Sequence, residues 1–218
     1  MSETPFLPPK QRRQRNREAV IAAIVEAARA NMRQNGVAAL NLNEIARALG
    51  MQTPSLYEYF PGKMALYDHL FRLGTRDLAA VLARTRDALS VTGWDQVERY
   101  FTVMLQWGID NPDLFRLLFE RHVPGFVPSD EAMAEMLQLL DDGQRQIDAL
   151  LDAAGVEPGI PHDRVRDIII ALQHGITALH LANNPDSPPQ VGRFGRLIPL
   201  VVDMLRLAWT HDRTRSER

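Results

Sequence analysis

Residues 41–63 read NLNEIARALGMQTPSLYEYFPGK, and this stretch decides the fold. Asn41 followed three residues later by Glu44 is typical of a helix start, because such side chains bond the free backbone N–H groups of the first turn. Gly50 then allows a tight turn, and Pro54 suits the first turn of another helix. The stretch therefore predicts two short helices joined by a tight turn.

The apolar residues of this stretch predict how the helices pack, together with an amphipathic helix predicted over residues 16–35. The expected core consists of Ile24, Ala28, Leu42, Ile45, Ala46, Leu49, Leu56 and Phe60. Three short helices with such a turn form a helix-turn-helix arrangement. The residues left on the outer side of the third helix are Thr53, Pro54, Ser55, Tyr57, Glu58 and Tyr59.

The rest of the chain is also predicted to be helical. A helix over residues 63–89 would be about 40 Å long at 1.5 Å per residue. Gly and Pro separate further predicted helices at residues 94–110, 112–122, 129–154, 162–183 and 190–211, with a kink or a late start at Pro199. No alternation of apolar and polar residues indicates a strand. The sequence predicts an all-α fold, with a three-helix N-terminal domain joined by a long helix to a larger helical domain.

Composition excludes several classes of protein. The 218 residues contain no cysteine, which excludes disulfides, Cys nucleophiles and cysteine-held zinc. Neither a membrane span nor a signal peptide is evident, so we expect a cytoplasmic protein. The six histidines lack metal-ligand spacing, and no Gly-x-Ser-x-Gly, Walker or Gly-x-Gly-x-x-Gly motif is present. We expect no metal, no cofactor and no enzyme activity.

Positive charge is concentrated near the N-terminus. Residues 1–72 carry 10 basic and 6 acidic side chains, whereas residues 73–218 carry 15 basic and 21 acidic ones. The densest group consists of Lys10, Arg12, Arg13, Arg15 and Arg17. This asymmetry indicates an end that faces nucleic acid or a membrane, and the alternative is a solvated, disordered tail.

Several short motifs of the chain occur together in one known domain. They are Asn35-Gly36, Ile45-Ala46, Leu49-Gly50-Met51, Ser55-Leu56-Tyr57, Phe60, and Lys63 followed by Leu66. With them, residues 17–67 resemble the N-terminal domain of the TetR family of bacterial regulators. Trp107 with Asn111-Pro112 and Leu114-Phe115, then Gln173-His174-Gly175-Ile176, is similar to a TetR C-terminal subclass with a Trp and a His-Gly element.

The resemblance implies that the outer side of the third helix binds DNA. Thr53, Pro54, Ser55, Tyr57 and Glu58 would lie at the major groove, and Asn41, Tyr59 and Lys63 near phosphates. Hydroxyl groups, helix N-termini and Lys donate to phosphates in general, and the arginines at 12, 13, 15 and 17 add phosphate contacts. Taken alone, the two tyrosines would more often be half-buried packing residues; the surrounding motif favours DNA contact for Tyr57 and leaves both alternatives open for Tyr59.

Asn41, Glu58 and Tyr59 affect which operator sequence the domain would bind. Tyr59 stands where the family usually has His, and Asn41 where it usually has Thr. Glu58 places a carboxylate toward a polyanion, where it either accepts from cytosine N4 or points to solvent. The resemblance therefore implies no particular operator sequence.

Four apolar residues on three of the predicted helices, Met104, Trp107, Phe119 and Met136, suit the lining of a ligand cavity. Aromatic and Met side chains accept varied apolar ligands. His174 interrupts an apolar helix and would add one polar contact. This pattern predicts a small lipophilic effector, aromatic or cationic, and the alternative for each residue is ordinary core.

The helix predicted over residues 162–183 carries two adjoining apolar stripes, together wider than the usual amphipathic stripe. One of them contains the small residues Ala171, Gly175, Ala178 and Ala182. We expect this helix and the last one, with Val201 and Leu205, to pair with their copies in a homodimer. The alternative is that both stripes are covered within one chain.

These observations lead to one main prediction, a sequence-specific DNA-binding transcriptional regulator. It would be a homodimeric repressor that a lipophilic effector releases from a palindromic double-stranded DNA operator. Residues 1–15 would form a basic flexible arm, 16–62 the helix-turn-helix DNA-binding domain, and 63–218 the helical ligand-binding and dimerisation domain. The alternatives are an activator of the same family, a helical interaction module without DNA binding, and an enzyme, which lacks supporting motifs.

Overall fold

A computed structural model describes residues 8–88, 93–154 and 156–210 of the chain. Within this part of the chain the regular structure is helical, without strands, which confirms the predicted all-α fold. Its α-helices are α1 (Pro9–Asn35), α2 (Leu42–Ala48), α3 (Thr53–Tyr57), α4 (Lys63–Ala88), α5 (Trp94–Asp110), α6 (Pro112–Phe119), α7 (Asp130–Ala154), α8 (His162–Asn183) and α9 (Ile198–Thr210). None of these helices is both long and apolar enough to cross a membrane.

The first helix starts earlier than the sequence predicts. Because α1 begins at Pro9, the prediction of a flexible arm over residues 1–15 is wrong for residues 9–15, and residues 1–7 lie outside the described part of the chain. Proline suits the first turn of a helix, and the Arg and Gln residues that follow are good helix formers. The basic cluster is therefore part of a helix.

Two helices of the C-terminal part also differ from their predicted bounds. α6 ends at Phe119 rather than near residue 122, and Arg121 adopts a positive φ of 48° that a right-handed helix excludes. α9 begins at Ile198, after a 3-10 turn over Gly195–Leu197. Of the two outcomes predicted at Pro199, the structure has the late start, because proline is tolerated in the first turn of a helix.

The three N-terminal helices α1–α3 form a head that packs as the predicted helix-turn-helix. Its fully buried side chains include Ile24, Ile45 and Leu56, one from each helix. The side-chain oxygen of Asn41 accepts the backbone N–H groups of residues 43 and 44, at 3.0 and 3.4 Å, and so caps α2 as predicted. Gly50 adopts a φ of +65°, which lets the chain reverse between α2 and α3.

The long helix α4 connects the head to a body formed by α4–α9. Its first turns belong to the core of the head, where Leu66, Tyr67 and Leu70 are fully buried. The Tyr67 hydroxyl donates to the Val37 carbonyl oxygen at 2.5 Å, and burial raises the pKa of this phenol to about 12. Head and body therefore share one continuous core.

A second connection between head and body is an ion cluster between α1 and α6. The Asp113 carboxylate is fully buried and accepts from Arg29 Nε at 2.8 Å and from Arg33 Nε at 3.2 Å. Arg29 also donates to the Asn111 side-chain oxygen at 2.8 Å. Because a buried carboxylate needs its partners, this cluster fixes how α1 lies on α6.

Close crossings of helices shape the interior of the body. A Cβ added to Gly108 on α5 would lie 2.6 Å from the methyl group of Thr177 on α8, so only glycine allows the two helices this approach. At the end of the body far from the head, Trp94 and Trp209 stack with ring centroids 5.8 Å apart. These contacts bring α5, α8 and α9 together.

Candidate DNA interface, cavity and exposed helix face

Four predicted DNA-contact residues lie on α3, where Pro54 and Tyr57 are exposed and Thr53 and Ser55 are half-buried. We call Thr53, Pro54, Ser55 and Tyr57 the recognition face. Leu56 anchors the helix beneath it with no exposed surface, while Tyr57 is 49% exposed. That these residues contact DNA stays a prediction.

The position of α3 is fixed by a contact that the sequence analysis missed. The Thr53 hydroxyl donates to the side-chain oxygen of Asn43 at 3.0 Å, which ties the start of α3 to α2. Asn43 lies two residues after the cap Asn41, where a second polar side chain at the helix start is the signal that points to it. The side-chain oxygen of Asn41 is occupied as the cap of α2, so its predicted phosphate contact stays a prediction.

Arg17 connects the basic cluster of α1 to the end of α3. Its guanidinium carbon lies 5.0 Å from the centre of the Tyr59 ring, and its Nη2 donates to the Glu58 carbonyl oxygen at 3.3 Å. Tyr59 is half-buried under this arginine, and the Glu58 side chain is exposed. The guanidinium is thereby placed beside the recognition face.

The other basic residues of the predicted interface differ in how they are held. Arg12, Arg13 and Arg15 are exposed on the first turns of α1, and no other described side chain forms an ion pair with them. Lys63 donates to the Ala38 carbonyl oxygen at 3.0 Å and lies 5.6 Å from the centre of the Tyr67 ring. One of the three ammonium protons of Lys63 is thus bonded within the protein. The contact of Lys63 with a DNA phosphate stays a prediction.

The body contains a cavity of about 190 Å³ between α4, α5, α7 and α8, with Trp209 of α9 at its wall. Four of the five predicted ligand residues line it: Met104, Phe119, Met136 and His174. The wall also contains residues without a recognisable sequence signal, among them Trp94, Phe101, Leu151 and Trp209. Helix packing brings these residues together from distant parts of the chain.

Trp107 does not line this cavity, so its predicted ligand contact is wrong. It is 3% exposed in the core, and its indole N–H donates to the Asp77 carboxylate of α4 at 2.7 Å. The partner of a buried indole N–H decides where the ring lies. Here the partner is on α4, and Trp107 joins α5 to α4 instead of facing the cavity.

The cavity wall also contains polar side chains, among them Gln146, Gln173 and His174. His174 packs against Phe119, with ring centroids 4.3 Å apart, and burial lowers the pKa of this imidazole. Arg166 also lines the cavity, and it is paired with Asp167 at 3.0 Å. Since Arg166 precedes His174 by eight residues on α8, about 12 Å of helix separate the two positions.

Apolar side chains are exposed along one face of α8 and α9. The dimer face, as we name it, consists of Ile168, Ala171, Gly175, Leu179 and Ala182 of α8 and Leu200, Met204 and Leu207 of α9. No atom lies within 4 Å of a Cβ built on Gly175. Another backbone therefore has room to come close at this position.

Three of the residues predicted for a dimer interface lie off this face. Ala178 and Val201 are half-buried in the protomer. Leu205 is 8% exposed and belongs to the core between α5, α8 and α9, and its contact with a second copy stays a prediction. Ile198, Val202 and Leu205 are buried, so their side of α9 faces inward. Leu200, Met204 and Leu207 are exposed and face outward.

These features define a class of protein, a helix-turn-helix domain carried on a helical body with an internal cavity. Residues 24–70 match the family described as bacterial regulatory proteins, tetR family. The HTH-type transcriptional regulator Rv1816 of Mycobacterium tuberculosis is 32% identical over 146 residues, which are 66% of this chain and 60% of that protein. The N-terminal segment at residues 24–70 is thus similar to the tetR family of bacterial regulatory proteins, and the chain spans less than two thirds of the length of this curated relative.

Two solved structures share the fold over most of both chains. A protein of unknown function from Rhodococcus sp. RHA1 has a TM-score of 0.72 at 18% identity, covering 87% of this chain and 94% of that one. The regulator FadR from Bacillus subtilis, in complex with stearoyl-CoA, has a TM-score of 0.63 at 14% identity, covering 86% and 98%.

Proposed function

We propose that the chain regulates transcription by binding double-stranded DNA as a homodimer. The observation that carries this proposal is the recognition face. Its residues are held in place by buried Leu56 and by the bond from Thr53 to Asn43, and the guanidinium of Arg17 lies beside it. Arg and hydroxyl side chains are common donors to DNA phosphates and bases. A DNA-binding role also fits a protein of the cytoplasm.

The dimer face supports the homodimeric part of the proposal. Its exposed apolar residues include Leu200 at 58% and Met204 at 61%, a pattern typical of surfaces that a partner covers. Two heads held by such an interface would read two half-sites about 34–36 Å apart, or a multiple of that spacing. A two-fold symmetric protein matches a palindromic operator.

The cavity supports control by a small molecule. Its wall is mostly apolar, so a lipophilic effector is the ligand class that it favours. The FadR structure with stearoyl-CoA is a case in which a protein of this fold holds a lipid-derived ligand. For an effector to release DNA it must bind the DNA-free conformation more tightly, because equal affinity shifts no population.

The test is to retain sheared genomic fragments on the full-length protein and sequence what is enriched. We expect an inverted repeat with the spacing given above. The variant Thr53→Ala/Tyr57→Ala removes two recognition-face side chains and should lose the enrichment. Arg84→Ala, which removes an exposed charge from the body, should keep it. Equal enrichment by all three proteins, or none by the wild type, contradicts the proposal.

Repression and activation are separated by a reporter that carries the enriched operator. A repressor lowers expression from the reporter, and removing the protein or adding an effector restores it. Expression that falls when the protein is removed would identify an activator instead.

A further inference from the structure

The polar side chains of the cavity wall without a hydrogen bond in the described part of the chain include Gln146, Gln173 and His174, and among them His174 packs on aromatic rings. Its ring lies against two aromatic rings of α6, with centroids 4.3 Å from Phe119 and 6.0 Å from Phe115. Among the residues that the structure describes, none forms a hydrogen bond with either ring nitrogen of His174. Both contacts of the imidazole are thus with apolar surfaces.

The nitrogens of His174 are not fully buried. The buried polar side-chain atoms without a partner in the described residues are Gln144 Oε1 and His180 Nδ1, and the His174 nitrogens are not among them. His174 lines the cavity directly. A group in the cavity can therefore reach the imidazole.

Burial favours the neutral form of this imidazole, because desolvation lowers the pKa of His174. A neutral imidazole offers one N–H donor and one nitrogen acceptor. The charged side chains of the cavity wall are Arg86, Arg166 and Asp142. Each already pairs with a charge of its own helix: Arg86 with Asp87, Arg166 with Asp167, and Asp142 with Arg145.

We propose that the effector is an uncharged molecule with an apolar body and a carbonyl or hydroxyl group that hydrogen-bonds to His174. This inference rests on the proposed control of the protein by a small molecule. A carboxylate or an ammonium group beside His174 would lose its hydration without meeting an opposite charge, which is costly in an apolar site. A neutral hydrogen-bonding group loses far less and gains the bond that the imidazole lacks.

The size of the cavity limits the effector. Its volume of about 190 Å³ is below the 300–1,000 Å³ that drug-sized ligands occupy. Small eight-carbon probes match this volume, and they allow the polar group to change while the chain stays constant. We therefore choose 2-octanone, 2-octanol, octanoate and octylammonium, with octane as the apolar reference.

Two tryptophans report on binding without a label. Trp94 and Trp209 both line the cavity, with ring centroids 5.8 Å apart, whereas Trp107 is buried away from it. Titrating each probe into the full-length protein and following tryptophan fluorescence gives the dissociation constants. In the wild type, 2-octanone and 2-octanol should bind at least tenfold more tightly than octanoate and octylammonium.

Variants of His174 separate hydrogen bonding from space filling. His174→Phe keeps a ring of similar shape and should weaken the ketone and the alcohol about threefold to tenfold, the worth of one hydrogen bond. The affinity of His174→Phe for octane should equal that of the wild type. His174→Gln keeps a donor and an acceptor and should retain the preference for the neutral polar probes. His122→Phe, on an exposed side chain outside the cavity wall, is the matched control and should behave as the wild type.

Each contrary result overturns the inference. Tighter binding of octanoate or octylammonium contradicts an uncharged effector. Equal losses for octane and the ketone in His174→Phe would mean that the imidazole only fills space, and no binding of any probe contradicts the assigned ligand class. Operator binding is measured separately without probes, so a failure of the proposed DNA-binding function is distinguished from a failure of this inference.

Discussion

Arg17 is the residue through which the charge of α1 reaches the recognition face. Stacking on Tyr59 and the bond to the Glu58 carbonyl restrict its position before DNA arrives, so less side-chain freedom is lost on binding. The exposed arginines at 12, 13 and 15 lack such contacts with other described side chains. Arg17 should therefore contribute more to affinity than its neighbours.

Arg17→Ala should weaken operator binding for all sequences and make it less sensitive to salt. Each neutralised phosphate contributes about −0.9 to the slope of log affinity against log salt, so the slope should fall by about one for each subunit. Filter binding between 50 and 200 mM salt measures this change. Arg84→Ala, a matched charge removal on α4, should leave the slope unaltered. If Arg17→Ala also leaves it unaltered, Arg17 contacts no phosphate.

At the scale of residues, the sequence predicts well where spacing along one helix decides the answer. Ile45 and Leu56 are buried as predicted because their helices are short and amphipathic. Trp107 is predicted wrongly because a large aromatic residue suits a cavity wall and a core equally well. The deciding contact is the bond to Asp77, which lies 30 residues earlier in the chain.

Among the helices, α6 contacts both functional parts of the molecule. Phe119 at its end belongs to the cavity wall, and Asp113 in its first turn holds two arginines of α1. A ligand that moves Phe119 or the adjoining His174 would act on the helix that positions the head. α6 therefore gives the proposed control a physical route besides the long helix α4.

Removing Asp113 should destabilise the protein strongly, because Arg29 would keep a charge that is only 15% exposed without its carboxylate partner. The free energy of unfolding of Asp113→Ala should fall by about 3–5 kcal/mol, the range for breaking a buried ion pair. Denaturant unfolding followed by circular dichroism measures it. Asp203→Ala, which breaks an exposed pair with Arg206, should cost no more than about 1 kcal/mol. Similar losses in both variants would contradict the role of the cluster.

The predicted helix bounds show where local sequence signals suffice. The sequence predicts both ends of α5 and α8 to the residue, because Gly, Asn and Pro mark them. It misses the start of α1, since charged and polar residues 10–17 fit both a solvated tail and an exposed helix. These residues are exposed in the helix, so no periodic pattern of apolar residues indicates their helical conformation.

At the scale of the whole molecule, the sequence predicts a head and a helical body but does not predict which side of α9 faces inward. Apolar residues surround this helix, so its inward side depends on how it packs on α5. The cavity likewise forms only when four helices and Trp209 meet. Such features depend on contacts between distant parts of the chain, which the local pattern of a helix does not contain.

The dimer face leads to the last prediction, which concerns the assembled molecule. Met204 is 61% exposed at the outward side of α9, and a charge in the middle of an apolar interface would lose its hydration without a partner. The wild type should therefore sediment as a dimer at micromolar concentration, and Met204→Glu as a monomer. Val127→Glu, which places the same charge on an 81% exposed loop residue, should remain a dimer.

Variants that form dimers should bind the operator more tightly than variants that are monomers. A monomer carries one head and contacts one half-site, so Met204→Glu should lose the affinity that comes from joining two heads. Its folded state should be retained, because Met204 is largely exposed in the protomer; circular dichroism checks this point. Gel-shift titrations of an inverted repeat and of a single half-site then compare the variants. A wild type that sediments as a monomer, or a Met204→Glu variant that binds the repeat as tightly as Val127→Glu, would show that α8 and α9 do not form the interface.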